Sequence, residues 1–247
     1  MLYEEITTAV ERGKRLLFVV VDPLDHEPGH ISKVARAAED GGAFAIVLGG
    51  STGVQGEILE SAIDEVREET SLPIILFPGN IGTVSPRADA IYFMSLMNSR
   101  NPYWITRVQV LAAPLLKAWG VETISTAYVV VEPGGTVGWV GEADLIPRAK
   151  PKIAAAFAMA AEMAGFELFI TDAGSAAPQP IPPEFVKKVS STISIPYVVA
   201  GGIRTPEQAK ALVKAGADIL QIGTAFEKDP DPAGRIKAFV KAMNDRH

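Results

Sequence analysis

"FPGNIGTVSPRADAIYF" (Phe77–Phe93) holds the end of one apolar strand, a turn rich in Gly, Pro, Ser and Asn, and the start of the next strand. Around it, short β-branched runs recur, most of them followed by an amphipathic segment. "RLLFVVVD" (15–22), "AFAIVLGG" (43–50), "PIILFPG" (73–79), "ADAIYFMSL" (88–96), "ETISTAYVVVE" (122–132), "ELFITDAG" (167–174), "IPYVVAGG" (195–202) and "ADILQIGTA" (217–225) read as strands. Near-continuous apolar runs of this kind suit a parallel sheet buried on both faces. Helices fit between them at 32–39, 56–68, 104–119, 151–164, 183–190, 206–215 and 233–243. At 206–215 the signals are explicit: Thr205 as N-cap, Pro206 in the first helical position and Gly216 as the stop. Eight such units in 247 residues, with no low-complexity linker, predict one (β/α)8 TIM barrel over 1–247. A doubly wound open sheet is the alternative, and it usually has fewer strands.

The quoted stretch breaks the pattern. Between Gly79 and Ala88 the chain is broken by Gly82, Ser85 and Pro86. A βαβ crossover needs at least ~10–12 residues including its helix. The third helix is therefore expected to be missing or replaced by an extended strip, with apolar side chains uncovered between the second and fourth helices. Two readings follow: a loop packed by its own side chains, or a groove for a long apolar ligand. Met94, Met97, Tyr103 and Trp104 stand beside the gap, as groove lining or as plain core.

Composition narrows the function. The chain is 48% hydrophobic and 21% charged, the profile of a soluble protein with a sizeable core. A net charge of −6 gives no nucleic-acid footprint and disfavours a nonspecific anionic-membrane surface. The absence of cysteine excludes disulfides, thiolate zinc sites and a Cys nucleophile. "MLYEEITTAVERGKR" has no apolar core of signal-peptide type, and no run of about 18 apolar residues suggests a membrane span. A cytoplasmic, reducing compartment is the expectation.

Barrel active sites lie at the C-terminal ends of the strands. Gly174–Ser175, Gly201–Gly202 and Gly223–Thr224 end the last three strands. Backbone N–H groups at such turns bind phosphate, and the loops after strands seven and eight are the usual barrel phosphate site; alternatively, the glycines only let tight turns close. Asp22 in "VVVDP", with Ser51 in "GGST", could hold Mg²⁺, which often binds through one or two carboxylates plus substrate phosphate. Asp22 could equally be a turn residue before Pro23. Asp172 points toward the phosphate region and could orient or deprotonate a hydroxyl, or only brace a neighbouring turn. Glu132 is a further candidate. His26, His30 and His247 have no ligand spacing.

With "VVVDP", "VLGGSTG", "YFMSLMNSRNPYW", "VVEPGGTVGWVG", "DAGSAAP" and "VVAGGIRTPEQA" in view, nearly the whole chain resembles the geranylgeranylglyceryl phosphate synthase family (phosphoglycerol geranylgeranyltransferases). That resemblance implies a barrel lacking a regular third helix, with a polyprenyl groove in its place. It implies transfer of a geranylgeranyl group from geranylgeranyl diphosphate to sn-glycerol 1-phosphate, the first ether bond of archaeal lipids. Asp22 and Ser51 would be the Mg²⁺ positions. Gly201, Gly202, Gly223, Thr224 and the Ala173–Ser175 turn would bind the glycerol phosphate, and Trp104 would stop the groove at a C20 chain. A homo-oligomer, dimer or hexamer, follows from the same resemblance and from Trp139, which looks exposed.

One motif departs. The family reads Tyr-Leu-Glu-Ala-Gly-Ser-Gly where this chain has Ile170, Thr171, Asp172, Ala173, Gly174, Ser175 and Ala176. Ile170 lacks a hydroxyl expected near the glycerol, Asp172 is shorter by one methylene, and Ala176 replaces a turn glycine. The rivals are a relative with altered acceptor or lost turnover, and another phosphate-binding barrel enzyme.

Overall fold

The computed structural model describes residues 1–24, 29–227 and 229–245; His26 and His247 lie outside them. Eight parallel strands close into a barrel in sequence order: β1 Leu16–Val21, β2 Ala45–Leu48, β3 Ile74–Leu76, β4 Ala90–Leu96, β5 Glu122–Val130, β6 Leu168–Asp172, β7 Tyr197–Ala200 and β8 Ile219–Ile222. The ring is sealed by β1 against β8, with Leu17 beside Leu220. All eight expected strands are present, each shorter than its apolar run. The helices are α1 Leu2–Glu11, α2 His30–Gly41, α3 Glu57–Glu69, α4 Val108–Trp119, α5 Gly135–Val140, α6 Pro151–Met163, α7 Pro183–Ser190, α8 Pro206–Lys214, α9 Thr224–Glu227 and α10 Pro232–Asn244. Among the described residues, no helix is long and apolar enough to cross a membrane.

Alternation along the strands sorts the apolar residues into two layers. Leu17, Val19, Phe169 and Leu220 face outward and pack against Val34, Leu59, Phe185 and Phe239 of the helices. Leu16, Phe18, Val47, Ile124, Ile170 and Ile219 face inward and fill the barrel. Thr205 accepts a hydrogen bond from the Gln208 N–H and caps α8 as its sequence indicated.

Between β3 and β4, residues 77–89 form no helix. Pro78, Gly79, Gly82 and Pro86 interrupt helical hydrogen bonding throughout this segment. The strip is tied to its neighbour instead. Thr83 Oγ1 donates to the Val54 carbonyl at 2.7 Å, Arg87 pairs with Asp64 and Glu60 of α3, and Arg67 of α3 reaches Asp89 at 2.6 Å. The side of the barrel is more closed than the sequence suggested. Ile74, Leu76 and Ile91 are fully or almost fully buried beneath the strip.

Three helices were not expected: α1, α5 and α9. α1 plugs the N-terminal end of the barrel. Leu2 and Ile6 join the inward layer, and Glu122 at the start of β5 accepts the Leu2 and Tyr3 N–H groups at 2.7 and 2.8 Å. Acceptance of orphan N–H groups by a carboxylate is the usual way a helix N-terminus is satisfied. Because Ile6 is completely buried, Ile6→Ala should cost about 2–5 kcal/mol through lost burial and a cavity. Urea unfolding measures this; a loss within experimental scatter would mean that α1 is not part of the cooperative core.

Candidate active site

The C-terminal ends of the strands surround one cavity. Asp22, Gly50, Ser51, Phe77, Pro78, Met94, Tyr128, Val137 and Asp172 line it, together with the turns Ser175–Ala176, Gly201–Arg204 and Gly223–Thr224. A second, more apolar space shares Ser51, Pro78, Gly79, Met94, Tyr128 and Val137 with it and continues to Leu96, Trp104, Val108 and Val140. The two are one cavity with a polar pole under β6–β8 and an apolar arm beside the strip.

Local structure holds Trp104 in the arm. Tyr103–Arg107 is a π-helical turn leading into α4, a form that leaves carbonyls without their usual partners. Gln109 donates to the Trp104 carbonyl at 3.3 Å and Ser95 to that of Ile105 at 2.8 Å. Tyr103 does not line the arm: it packs edge-on against Trp104, ring centroids 4.9 Å apart. Met97 belongs to the outer helix layer. Val137 and Val140 of α5 form the opposite wall.

Asp172 is the buried carboxylate of the polar pole. Tyr128 Oη donates to its Oδ2 at 2.8 Å and the Gly174 N–H to its Oδ1 at 2.6 Å. Burial raises its pKa above the usual carboxylate value, against the pull of those two donors. The same burial, with the Asp172 charge beside it, pushes the Tyr128 phenol well up, so the pair shares one carboxylate charge and one phenol proton. Gly201 lies against the carboxylate: a Cβ there would come within 2.7 Å of Oδ1, and its φ of +87° is one only glycine adopts readily.

Asp22 lies across the cavity. Its carboxylate accepts the Leu24 N–H at 3.1 Å and rests on Gly50, where a Cβ would collide with it. The turn reading of this residue is thus met by the Leu24 bond, and the residue also lines the cavity beside Ser51. The donor set is all oxygen and suits a hard cation. Among the described residues no group of three or more His, Asp or Glu is placed to hold a metal. An ion held by these two oxygens would have to take the rest of its coordination from substrate oxygens and water, as Mg²⁺ can.

A family model described as "PcrB family" matches residues 10–243. The chain belongs to the PcrB family. The geranylgeranylglyceryl phosphate synthase of Pyrococcus abyssi is 50% identical over 232 residues, 93% of this chain and 92% of that protein. That of Thermococcus kodakarensis is 53% identical over 219 residues, 89% and 86% of the two chains. The (S)-3-O-geranylgeranylglyceryl phosphate synthase of Thermoplasma acidophilum, solved with its substrate sn-glycerol-1-phosphate, superimposes with a TM-score of 0.94 at 38% identity, over 98% of this chain and 97% of that one.

Within this PcrB chain, several residues taken for the acceptor site lie elsewhere. Ile170 is fully buried in the inward layer below the cavity. Thr171 faces outward, as alternation requires, and its hydroxyl bonds Tyr197 Oη at 2.7 Å. Ala173 is buried in the outer layer, with its carbonyl taken by the Gly134 N–H. The Gly174 N–H is engaged by Asp172. Glu132 is exposed and its carboxylate accepts the Arg148 N–H at 3.2 Å, so it braces a strand end. Ala176 holds φ = +56°, a left-handed backbone conformation disfavoured for residues with a Cβ. The Ala176 carbonyl accepts Arg204 at 3.2 Å, and the Pro178 carbonyl accepts it at 2.9 Å.

Tyr128, Arg204 and Gln221 are cavity residues the sequence reading passed over. Gln221 had a visible signal, a lone amide in the buried strand "ILQI". Tyr128 and Arg204 had none without knowing which way each side chain points.

Tyr128→Phe tests the carboxylate's setting. The folded pKa of Asp172 is raised, so the folded state holds an extra proton above the unfolded value, and stability falls as pH rises through that window. Losing the Tyr128 donor raises the folded pKa further. The variant should therefore lose roughly 1.5–3 kcal/mol at neutral pH and less in acid, where the carboxyl is protonated. Urea unfolding across pH measures it; equal losses at both extremes would contradict the pairing.

Proposed function

We propose that the protein transfers a geranylgeranyl group from geranylgeranyl diphosphate to the 3-hydroxyl of sn-glycerol 1-phosphate. The observation that carries this reading is the continuity of the cavity: a polar pole under three Gly-bearing turns opens into an apolar arm ending at Trp104. A small phosphorylated acceptor and a long apolar donor are the two ligand shapes that such a cavity takes side by side. The names of the relatives support the same reaction. A plain phosphate-metabolite barrel would leave the apolar arm without use.

In this account the acceptor phosphate rests on the backbone of Ser175, Gly202, Gly223 and Thr224, all of which line the polar pole. Ser175, Ala176 and Gly201 shape that turn, and Arg204 holds it by its carbonyls. The prenyl tail lies along Met94 and Pro78–Asn80 to Trp104, with Tyr103 bracing the indole. The diphosphate falls between, at Asp22 and Ser51, which are the residues that would hold Mg²⁺. When bound there, the ion neutralises charge on the leaving diphosphate. The allylic C1–O bond breaks with its electron pair leaving on the diphosphate. The acceptor's O3 forms the new bond to C1, and the O3 proton passes to the Asp172 carboxylate. A carboxylate with a pKa raised by burial is a stronger base than a solvent-exposed one. Strand alternation turns Asp172 to the cavity while Thr171 turns away, so the shorter side chain still reaches this space. The exposed Val110, Leu111 and Leu115 along α4, with Trp139 at 83% exposure, support assembly into a homo-oligomer, dimer or hexamer.

The test is an in vitro transfer assay with Mg²⁺, geranylgeranyl diphosphate and labelled sn-glycerol 1-phosphate, with glycerol 3-phosphate and a C35 diphosphate as comparisons. Ether product with the C20 donor, lost on chelation, is the expected result. Asp22→Asn should lower turnover by ~10²-fold or more, since metal-borne charge stabilisation is worth several kcal/mol, with the thermal transition unmoved. Binding of the diphosphate without any ether product would remove the proposal in favour of an altered acceptor or lost turnover.

A further inference from the structure

Asp172, Ala200 and Gln221 are register partners in one row across β6, β7 and β8, and all three line the polar pole. The outer two are polar and stand two strand spacings apart, roughly 10 Å between backbones. Ala200 between them contributes only a methyl group, which leaves a well above it. Each polar group is fixed by a buried tyrosine. Tyr128 donates to the Asp172 carboxylate from one side. From the other, Tyr92 Oη donates to Gln221 Oε1 at 3.1 Å, with both residues buried. An amide whose oxygen is held in this way presents its N–H donors on the opposite side, toward the cavity that Gln221 lines. The well is thus flanked by an acceptor on β6 and a donor on β8.

We infer that Gln221, oriented by Tyr92, is the residue that reads the second hydroxyl of the acceptor, donating from Nε2 to the oxygen on C2 while Asp172 takes the 3-hydroxyl. The inference rests on the proposed prenyl transfer and adds to it a specificity-determining residue. A 1,2-diol needs one partner for the hydroxyl that reacts and another for the hydroxyl that does not. The row supplies both, at fixed spacing. It also accounts for Ile170, whose buried position below the cavity offers no hydroxyl to the glycerol. Polar recognition of the hydroxyl on C2 then comes from the β8 side of the well. Mg²⁺ and the diphosphate take no part in this contact, so the effect should appear in acceptor choice alone.

The experiment compares sn-glycerol 1-phosphate with 3-hydroxypropyl phosphate, which keeps the reacting hydroxyl and the phosphate but lacks the hydroxyl on C2. A site built to bond a hydroxyl discriminates against the analogue lacking it. The wild-type protein should prefer glycerol 1-phosphate in kcat/KM by ~10-fold, the scale of one neutral hydrogen bond and the donor left unpaired. Gln221→Leu should lower kcat/KM for glycerol 1-phosphate by about that factor and leave 3-hydroxypropyl phosphate within about twofold, so that the preference disappears. Tyr92→Phe, which frees the amide without removing it, should weaken the preference in the same direction, and it serves if the leucine variant fails to fold. A merely structural role for Gln221 would lower both acceptors together, and that result overturns the inference while leaving the transfer reaction standing. An unchanged preference in Gln221→Leu overturns it too. If the wild-type protein makes ether from neither acceptor, the transfer reading falls and this inference falls with it.

Discussion

A barrel wall is usually covered by the helix of each crossover connection, and residues 77–89 cannot supply one. Proline and glycine break the segment, so the cover between β3 and β4 has to be an extended strip. An isolated strip has little hydrogen bonding of its own. It borrows structure from the segment before α3 through Thr83, which bonds the Val54 carbonyl, and from α3 itself through Arg87 and Asp89. The lower wall is sealed by this tethering, and Ile74, Leu76 and Ile91 stay dry. At the upper rim no side chain of the described residues fills the space between Pro78–Asn80, Trp104 and α5, and the apolar arm of the cavity lies there. The catalytic face thus inherits its second compartment from a missing helix.

The polar pole follows from a different economy. A carboxylate buried in a barrel interior is costly unless its oxygens are bonded. Asp172 meets that need with a phenol and one backbone N–H, and the two together counter only part of the burial cost, so its pKa stays high. This leaves a carboxylate that is held in place by two donors on the cavity wall. The turns around it are shaped by close approach. Gly201 touches the carboxylate, and Ala176 accepts a left-handed backbone that Arg204 helps to hold.

Much of the fold was legible because parallel barrel strands are buried on both faces and read as unbroken apolar runs. All eight were visible, and so was the failure of the third helix. α1 was missed although Leu2 and Ile6 stand one helical turn apart, because early acids and a short apolar stripe resemble any surface segment. α5 was missed because "PGGTVGW" carries the glycines of a loop. The site was less legible than the fold. Which residues share the cavity depends on the parity of each strand, and parity cannot be read from a run that is apolar throughout. Thr171 and Asp172 are neighbours in sequence yet face opposite layers. Ile170 shares the inward face with Asp172 but lies one level too deep. Tyr128, inside a continuous β-branched run, became meaningful only when β5 was seen beside β6.

The central claim is that one cavity holds both partners, the acceptor under β6–β8 and the tail between the strip and Trp104. A crystal structure of the protein with Mg²⁺, sn-glycerol 1-phosphate and an unreactive thio-analogue of geranylgeranyl diphosphate tests it most directly. The tail should lie along Pro78–Asn80, Met94 and Val140 with its end at the Trp104 indole, the diphosphate at Asp22 and Ser51, and the acceptor's 3-hydroxyl on Asp172. A tail lying anywhere else on the barrel, or an acceptor bound away from Asp172, would contradict it.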